Sequence, residues 1–502
     1  MRRWWIWAAA ALGLGAVAIL AANRYLNRYL RDEVVAQLQQ RYDSDVDFRS
    51  LKVRVFPRIH ARGEGFVLRH RGRRDVPPLI TIDGLQIDAS LLQLVRSPRH
   101  VALVRFDGLR ITIPPGRDGE DKDRRRAAAP VVVDELVAER SHVLLLPKND
   151  GKHPLRFDIH RLRMQSVGLD RAAPFEAVLT NPKPKGRIET EGRFGPWNRG
   201  DPGLTPLVAD YSFENADLGT FRRLDGTLSS TGKFGGILRR IEVHGKTYTP
   251  DFRVSGNPVP LETTFRAIVD GTDGDTLLQP VRARVIESSI TAWGGVVRRD
   301  GDKGKTVALD VTAEHARLQD LLRLAVKGQP PMSGSISFKT RFELPPGKEE
   351  IAHRLRLHGQ FGITAARFSS DRLQGKIAGL SRRGRGKPKE NVDPDNIVSD
   401  LKGRFVLRGG IIRFSDLTFG VPGALVRLDG TYGLQGERLN FAGTLRLEAK
   451  PSQTTTGVKS FFLKLVDPLV HENGKGTVLP IQITGTRTKP DFGLGSRRVP
   501  GN

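Results

Sequence analysis

The acidic run "DSDVDFRS" sets Asp43, Asp45 and Asp47 at alternate positions, as the opening of a calcium loop does. Such a loop needs glycine at its sixth position and glutamate at its twelfth. Phe48 and Arg54 stand there instead, so the run reads as the stop of a preceding helix and no metal is expected. The eleven histidines show no paired ligand spacing on a helix. His353 and His358, five apart on a predicted strand, would face opposite sides. No G-x-S-x-G elbow, phosphate-binding loop or H-E-x-x-H is present, and "GRGK" (384–387) lacks the length of a phosphate loop. With no cysteine, thiol catalysis, zinc–thiolate sites and disulfides fall away together. The expectation is a non-catalytic protein without a metal or cofactor.

What the residues do carry is a repeated pattern. "ITIDGLQID" (80–88) and "VRFDGLRIT" (104–112) place apolar residues on even numbers before the Asp-Gly pair and on odd numbers after it. Alternation with period two is a strand with one apolar face, and a single extra residue would turn that face over. A left-handed glycine supplies a bulge that absorbs the step and adds twist. The pattern therefore predicts matching bulges at Gly84 and Gly108. Related stretches recur at "RLDGTLSS" (223–230), "VRLDGTYGL" (426–434) and "FAGTLRLEA" (441–449).

Most of the chain follows the same script. Period-two segments are predicted at 46–56, 65–70, 79–89, 101–113, 131–146, 155–169 and 185–194. They resume at 207–215, 226–245, 252–256, 261–270, 281–299 and 305–313, then at 333–344, 352–363, 401–419, 424–434, 438–449 and 478–485. One helix, "EHARLQDLLRLAVKG" (314–328), interrupts them before a Pro-Pro pair. The charged stretch 116–130 and the basic stretch "SRRGRGKPKENVDPDN" (381–396) read as loops. The second reads as solvated, with contact to lipid headgroups as the functional alternative. A late amphipathic helix is predicted at 457–470, with Val458, Phe461, Phe462, Leu465 and Leu469 on one face.

The address lies at the start. Trp4 to Ala22 is uncharged and apolar, and as a helix it would extend ~28 Å, about one hydrocarbon core. Cleavage after Ala21 or Ala22 would put Ile19 or Leu20 at −3, where a signal peptidase wants a small residue, so an uncleaved anchor is expected. Trp4, Trp5 and Trp7 suit an interfacial belt, and Arg2 and Arg3 favour a cytoplasmic N-terminus. Leu26, Leu30, Val34 and Leu38 continue the helix to about residue 42. The net charge of +26 is dispersed and carries no nucleic-acid-binding motif. It fits an anionic membrane surface or simply the solvated outer faces of strands.

Three late stretches resemble the C-terminal region of the AsmA-like family: "LLRLAVKGQPPMSGSISFKTRFELPPGKE", "GRFVLRGGIIRFSDLTFGVPGALVRLDGTYGL" and "TTTGVKSFFLKLVDPLVHENGKGTVLPIQITGTRTKPDF". "PPLITIDGLQIDASLLQLV" and "VRFDGLRITIPP" after an anchor resemble its N-terminal end. The resemblance implies an inner-membrane protein of the AsmA/TamB-type clan, single-pass, with its bulk in the periplasm. It also implies a part in phospholipid transport between membranes and in outer-membrane biogenesis, with membrane phospholipid and an envelope protein at the C-terminal end as partners.

The expected fold is mainly β, an elongated, twisted antiparallel sheet curled into an apolar groove behind an N-terminal transmembrane helix. Its regions are the anchor with its helical extension (1–42), an N-terminal β region (43–130), a middle β region (131–313), a helical linker (314–331) and a C-terminal β region (332–502). In the first β region the lining is assigned to Ile80, Ile82, Leu85, Ile87, Val104, Phe106, Leu109 and Ile111. In the last it is assigned to Phe414, Leu417, Phe419, Leu428, Leu445 and Leu447. Two rivals remain at this point: an assembly or scaffold factor for envelope proteins with a protein-binding groove, and an array of β-sandwiches with a dry core.

Overall fold

The computed structural model describes residues 44–494 apart from 55–57, 71–77, 91–98, 114–130, 147–153, 169, 199, 222–223, 273, 300–303 and 450–476. The expected anchor with Arg2, Arg3, Trp4, Trp5 and Trp7, its extension to residue 42, the charged stretch 116–130 and the amphipathic segment with Val458, Phe461, Phe462, Leu465 and Leu469 lie outside the described residues. No helix among the described residues is long and apolar enough to cross a membrane.

The protein is mainly β, as the period-two pattern requires. It divides into two compact units, one formed by residues up to Thr220 with Leu228–Glu242, the other by Phe221–Thr227 with the chain from Val243 onward. That division falls inside the region assigned to the middle of the sequence.

The first unit contains β1 (Ser44–Asp47), β2 (Ser50–Arg54), β3 (Ile59–His70), β4 (Ile80–Ala89), β5 (Arg99–Asp107), β6 (Arg110–Ile113), β7 (Val131–Leu145), β8 (Leu155–Val167), β9 (Ala173–Pro182), β10 (Lys185–Phe194) and β11 (Pro206–Asp217), with most of β12 (Thr227–Ile237). From β7 to β11 each strand pairs antiparallel with the next. Earlier the order is less simple. β1 and β2 both pair with β3, and β3 pairs with β4. β5 and β6 form one interrupted strand, antiparallel to β4 but parallel to β7. The all-antiparallel expectation fails at this pair. A parallel neighbour requires a crossover rather than a hairpin, and residues 114–130 connect the two. Asp45 and Asp47, expected to stop a helix, lie in β1 opposite Arg69 and Val67.

The phase step has a physical basis here, but not at both predicted glycines. Gly108 is left-handed, with φ +63°. Gly84 is an ordinary strand residue; a left-handed glycine stands instead on the neighbouring strand, Gly65 on β3, also at φ +63°. By register Gly65, Asp83, Gly108 and Arg140 fall on one line across β3, β4, the β5–β6 break and β7. Arg140 adopts φ +48° on that line. One strand of a pair can carry a kink while its partner stays extended, which is why the glycine of the first copy need not be special. Because the strands step together, register is kept and the apolar side chains stay on one face. Ile80 and Ile82 from before the step pack in one cluster with Leu85 from after it, and Phe106 with Leu109.

The second unit holds β13 (Arg240–Phe252) from Val243 on, β14 (Val259–Val269), β15 (Thr276–Val285), β16 (Ser288–Arg298), β17 (Lys305–Arg317), β18 (Met332–Leu344), β19 (Arg356–Phe368), β20 (Ser399–Arg408), β21 (Ile411–Val421), β22 (Ala424–Gly433), β23 (Leu439–Leu447), β24 (Thr477–Gly485) and β25 (Pro490–Leu494). From β14 to β25 it is a continuous antiparallel meander. Its ladders are stepped at His315, Ala365 and Asp416, whose φ values are 50°, 53° and 53°. A bulged residue is left out of the ladder, so its N–H needs another acceptor. Each finds one on the adjacent strand: Ser337 Oγ at 3.0 Å, Asp400 Oδ1 at 3.2 Å and Asp429 Oδ1 at 3.0 Å. The aspartate of "VRLDGTYGL" thus supports a bulge on its neighbour rather than making one.

Among the described residues, two helices longer than one turn join this unit. The predicted helix 314–328 is shorter: β17 runs through Arg317, and α1 spans Leu318–Ala325. It lies on the sheet, with Leu318 packed against Ile363 and Ala366. The second, α2 (Asp371–Gly384), was not expected; it takes 381–384 and the short turn Pro394–Asn396 takes 394–396 of the stretch assigned as a loop at 381–396, while 385–393 between them is loop. His353 sits in a one-turn helix, Ile351–Arg354, and only His358 is on a strand.

Candidate functional site

The side chains that alternate inward build one apolar face in each unit. In the first, Ile87 of β4 stands beside Val104, then Leu136, Met164 and Phe175 on the successive strands. A second row runs from Leu85 through Phe106, Ala138 and Leu162. A third joins Ile80, Ile111, Val143 and Phe157. Cross-strand rows like these are what hold a sheet face together, at a few tenths to one kcal/mol per pair (roughly 0.2–1).

Seven of the eight residues assigned here, Ile80, Leu85, Ile87, Val104, Phe106, Leu109 and Ile111, are half-buried. Ile82 differs. It is only 6% exposed, beneath Phe48 and Phe66, whose rings lie 4.8 Å apart. Phe48, in the turn between β1 and β2, folds over it, so Ile82 is core rather than open lining. Among the described residues no helix lies over β4–β9, and strand contacts are chiefly those of the ladder itself.

In the second unit the assigned residues also share a face. Leu417 and Leu428 are paired, Phe414 stands opposite Gly430, and Phe419 leads through Val426 to Leu445 and Leu479. Gly430 leaves room for Phe441, whose ring lies 5.8 Å from that of Phe414. The face is not uniformly open. Leu445 and Leu447 are buried with Ile377 and Ala378 of α2, and Phe419 packs against the same cluster. They serve a protein core, and the lining assignment is corrected for them. α1 covers the neighbouring strands near Ile336 and Ile363. Leu428 is 9% exposed, while Phe414 and Leu417 stay half-buried.

Sequence reasoning missed several residues of the same rows: Leu136, Met164 and Phe175 in the first unit, Phe338, Phe361 and Phe405 in the second. Their signal was present as period-two alternation, but strand neighbours are needed to put it on a common face. Of these, Phe361 and Phe405 meet with their rings tilted and their centres 6.2 Å apart.

The opposite face is charged. Arg110 pairs with Asp83 at 2.8 Å, Arg163 with Glu135 at 2.8 Å, and Arg140 with Asp107. These pairs are exposed and screened by solvent, so they contribute little to stability. They keep one side of the sheet wet. No group of histidine, aspartate and glutamate able to hold a metal occurs among the described residues.

His142 on β7 titrates abnormally. Burial lowers its pKa below the ordinary value of 6.5, and the cations of Arg156 and Arg110 lower it further against weaker opposition from Asp158 and Asp83. The unfolded chain then binds the proton more readily than the folded one. Stability is therefore full above ~6.5 and falls as pH drops through that value. Replacing His142 with glutamine is expected to flatten the shift of the urea midpoint between pH of about 7 and 5; an unchanged slope would remove His142 as its source.

No family model, curated protein or solved structure matches this chain.

Proposed function

We propose that the protein is a membrane-anchored, non-catalytic carrier that holds phospholipid acyl chains against the apolar face of its sheet and moves them between membranes of the cell envelope. The observation that carries this reading is the half-buried apolar face of β4–β9, over which no second layer lies among the described residues. Exposed apolar patches beyond a few hundred Å² are rare on soluble monomers, so such a face calls for a partner. An acyl chain is gained at ~25 cal/mol per Å² of apolar contact, without a unique geometry. That would account for a site built from rows of Leu, Ile, Val and Phe with no catalytic constellation. The sequence resemblance to AsmA-like proteins and the apolar stretch from Trp4 to Ala22 support placing it in the inner membrane, facing the periplasm.

A photo-crosslinking residue placed at Ile87, Val104 or Phe106 is expected to capture phospholipid, whereas one at outward Arg105 is not. Capture of a protein instead of lipid at the inward sites would favour the scaffold function. Equal labelling at inward and outward positions would end the lipid reading.

A further inference from the structure

Helix α2 has two faces of opposite chemistry. Gln374, Ile377, Ala378 and Ser381 are buried against the sheet. Ser381 donates its hydroxyl to the Pro422 carbonyl at 2.9 Å, fixing the helix on that side. Arg372, Lys376 and Arg383 are exposed and fall on one strip of the outer surface, because steps of four and seven residues return to the same side of a 3.6-residue turn. Leu373, 42% exposed, borders that strip, and exposed Lys389 follows just beyond the helix.

No ion pair among the described residues neutralises these cations. The ion pairs of this segment are Arg385–Glu390 and Lys387–Glu390, and Arg372, Lys376, Arg383 and Lys389 have no carboxylate partner among the described residues. The exposed acids nearby in sequence are Asp371, Asp393 and Asp395, fewer than the cations. Like charges four apart on a helix weaken it slightly, so folding gains nothing from this strip.

We infer that the outer face of α2 is a docking strip for an anionic bilayer surface. A line of cations bordered by an apolar side chain is the composition of a helix lying in a headgroup layer, where each cation near the surface adds attraction. Single-stranded nucleic acid fits less well, since residues 371–398 contain no aromatic side chain on which a base could stack. The inference does not depend on what the apolar face of the sheet carries.

The full chain, held on beads, would be offered fluorescent vesicles of phosphatidylcholine alone or with phosphatidylglycerol. Any apolar attachment made elsewhere in the chain is common to both vesicle types and drops out of the comparison. The protein should prefer vesicles containing phosphatidylglycerol, with added salt weakening that preference. R372Q/K376Q/R383Q/K389Q should lose it on the order of 100-fold, while R372K/R383K should keep it because charge, not fork geometry, is what binds. Equal capture of both vesicle types, or undiminished preference in the glutamine variant, would overturn the inference. So would retention of a DNA probe without retention of anionic vesicles.

Discussion

Gly108→Val is expected to destabilise the first unit by about 3 kcal/mol, while Gly84→Val should stay within about 1 kcal/mol. The two glycines stand in nearly identical sequence, each after aspartate and before leucine, so sequence context alone would treat them alike. Their backbones differ. Gly108 has φ +63°, which a β-branched residue resists, and a side chain there would fall on the Asp83 carboxylate. A Cβ at Gly84 would meet only the Cβ of Asp107, at an ordinary 3.5 Å, and valine suits an extended strand. Gly65→Val should behave like Gly108→Val, since Gly65 shares the φ and its added Cβ would press on Arg49. Because two units need not unfold together, hydrogen exchange across β3–β7 is the better measurement than a global melt. Protection should fall on the order of 100-fold in the costly variants, by about tenfold per 1.4 kcal/mol. Similar losses for Gly84 and Gly108 would mean that the kink line is wrongly placed.

The contrast also locates what was legible in the chain. The strands were legible because one wet face and one apolar face write period two directly into the sequence, and rows such as Leu85–Phe106 follow from it. That the phase changes was legible too. Which residue absorbs the change was not, because the kink belongs to a line of neighbouring strands, and Gly65 and Arg140 carry no shared local motif. The parallel pairing of β5 with β7 was hidden for the same reason: it is a choice among partners, and either partner would satisfy the alternation.

Helix α2 was illegible for a different reason. Its buried residues are Gln374, Ile377, Ala378, Ser381 and Gly384, so only two of five carry an apolar side chain, and the remainder is dense in cations and glycine. The pattern of an amphipathic helix is nearly erased when part of the buried face is held by hydrogen bonds. The fate of the assigned lining followed from this omission: Phe419, Leu445 and Leu447 alternate just as open-face residues do, and only the helix distinguishes them.

Those hydrogen bonds make Gln374 the residue on which the docking of α2 should depend most. It is 2% exposed. Its Nε2 donates to the carbonyls of Pro394 at 2.8 Å and Ile397 at 2.7 Å, and its Oε1 accepts the Phe368 N–H at 3.1 Å. One side chain therefore ties the helix both to the end of β19 and to the segment leading into β20. Gln374→Ala would take these partners from the Ile397 carbonyl and the Phe368 N–H, leave the Pro394 carbonyl with only the Ile397 N–H, and open a cavity as well. At about 1–3 kcal/mol for each unsatisfied buried group, a loss of roughly 3 kcal/mol or more is expected. Gln374→Met restores most of the volume but none of the hydrogen bonds, so it should remain nearly as damaging. Lys376→Ala, on the exposed side, should fall within about 0.5 kcal/mol. Limited trypsin digestion reads the difference locally, since Arg372, Lys376 and Arg383 lie on the helix itself. Both Gln374 variants should be cut there well before the strands are. If Gln374→Met resists trypsin as the parent does, apolar contact through Ile377 and Ala378 is enough to hold the helix. If it is cut early, the helix is held by its hydrogen bonds, and its release uncovers Leu445 and Leu447 on the sheet below.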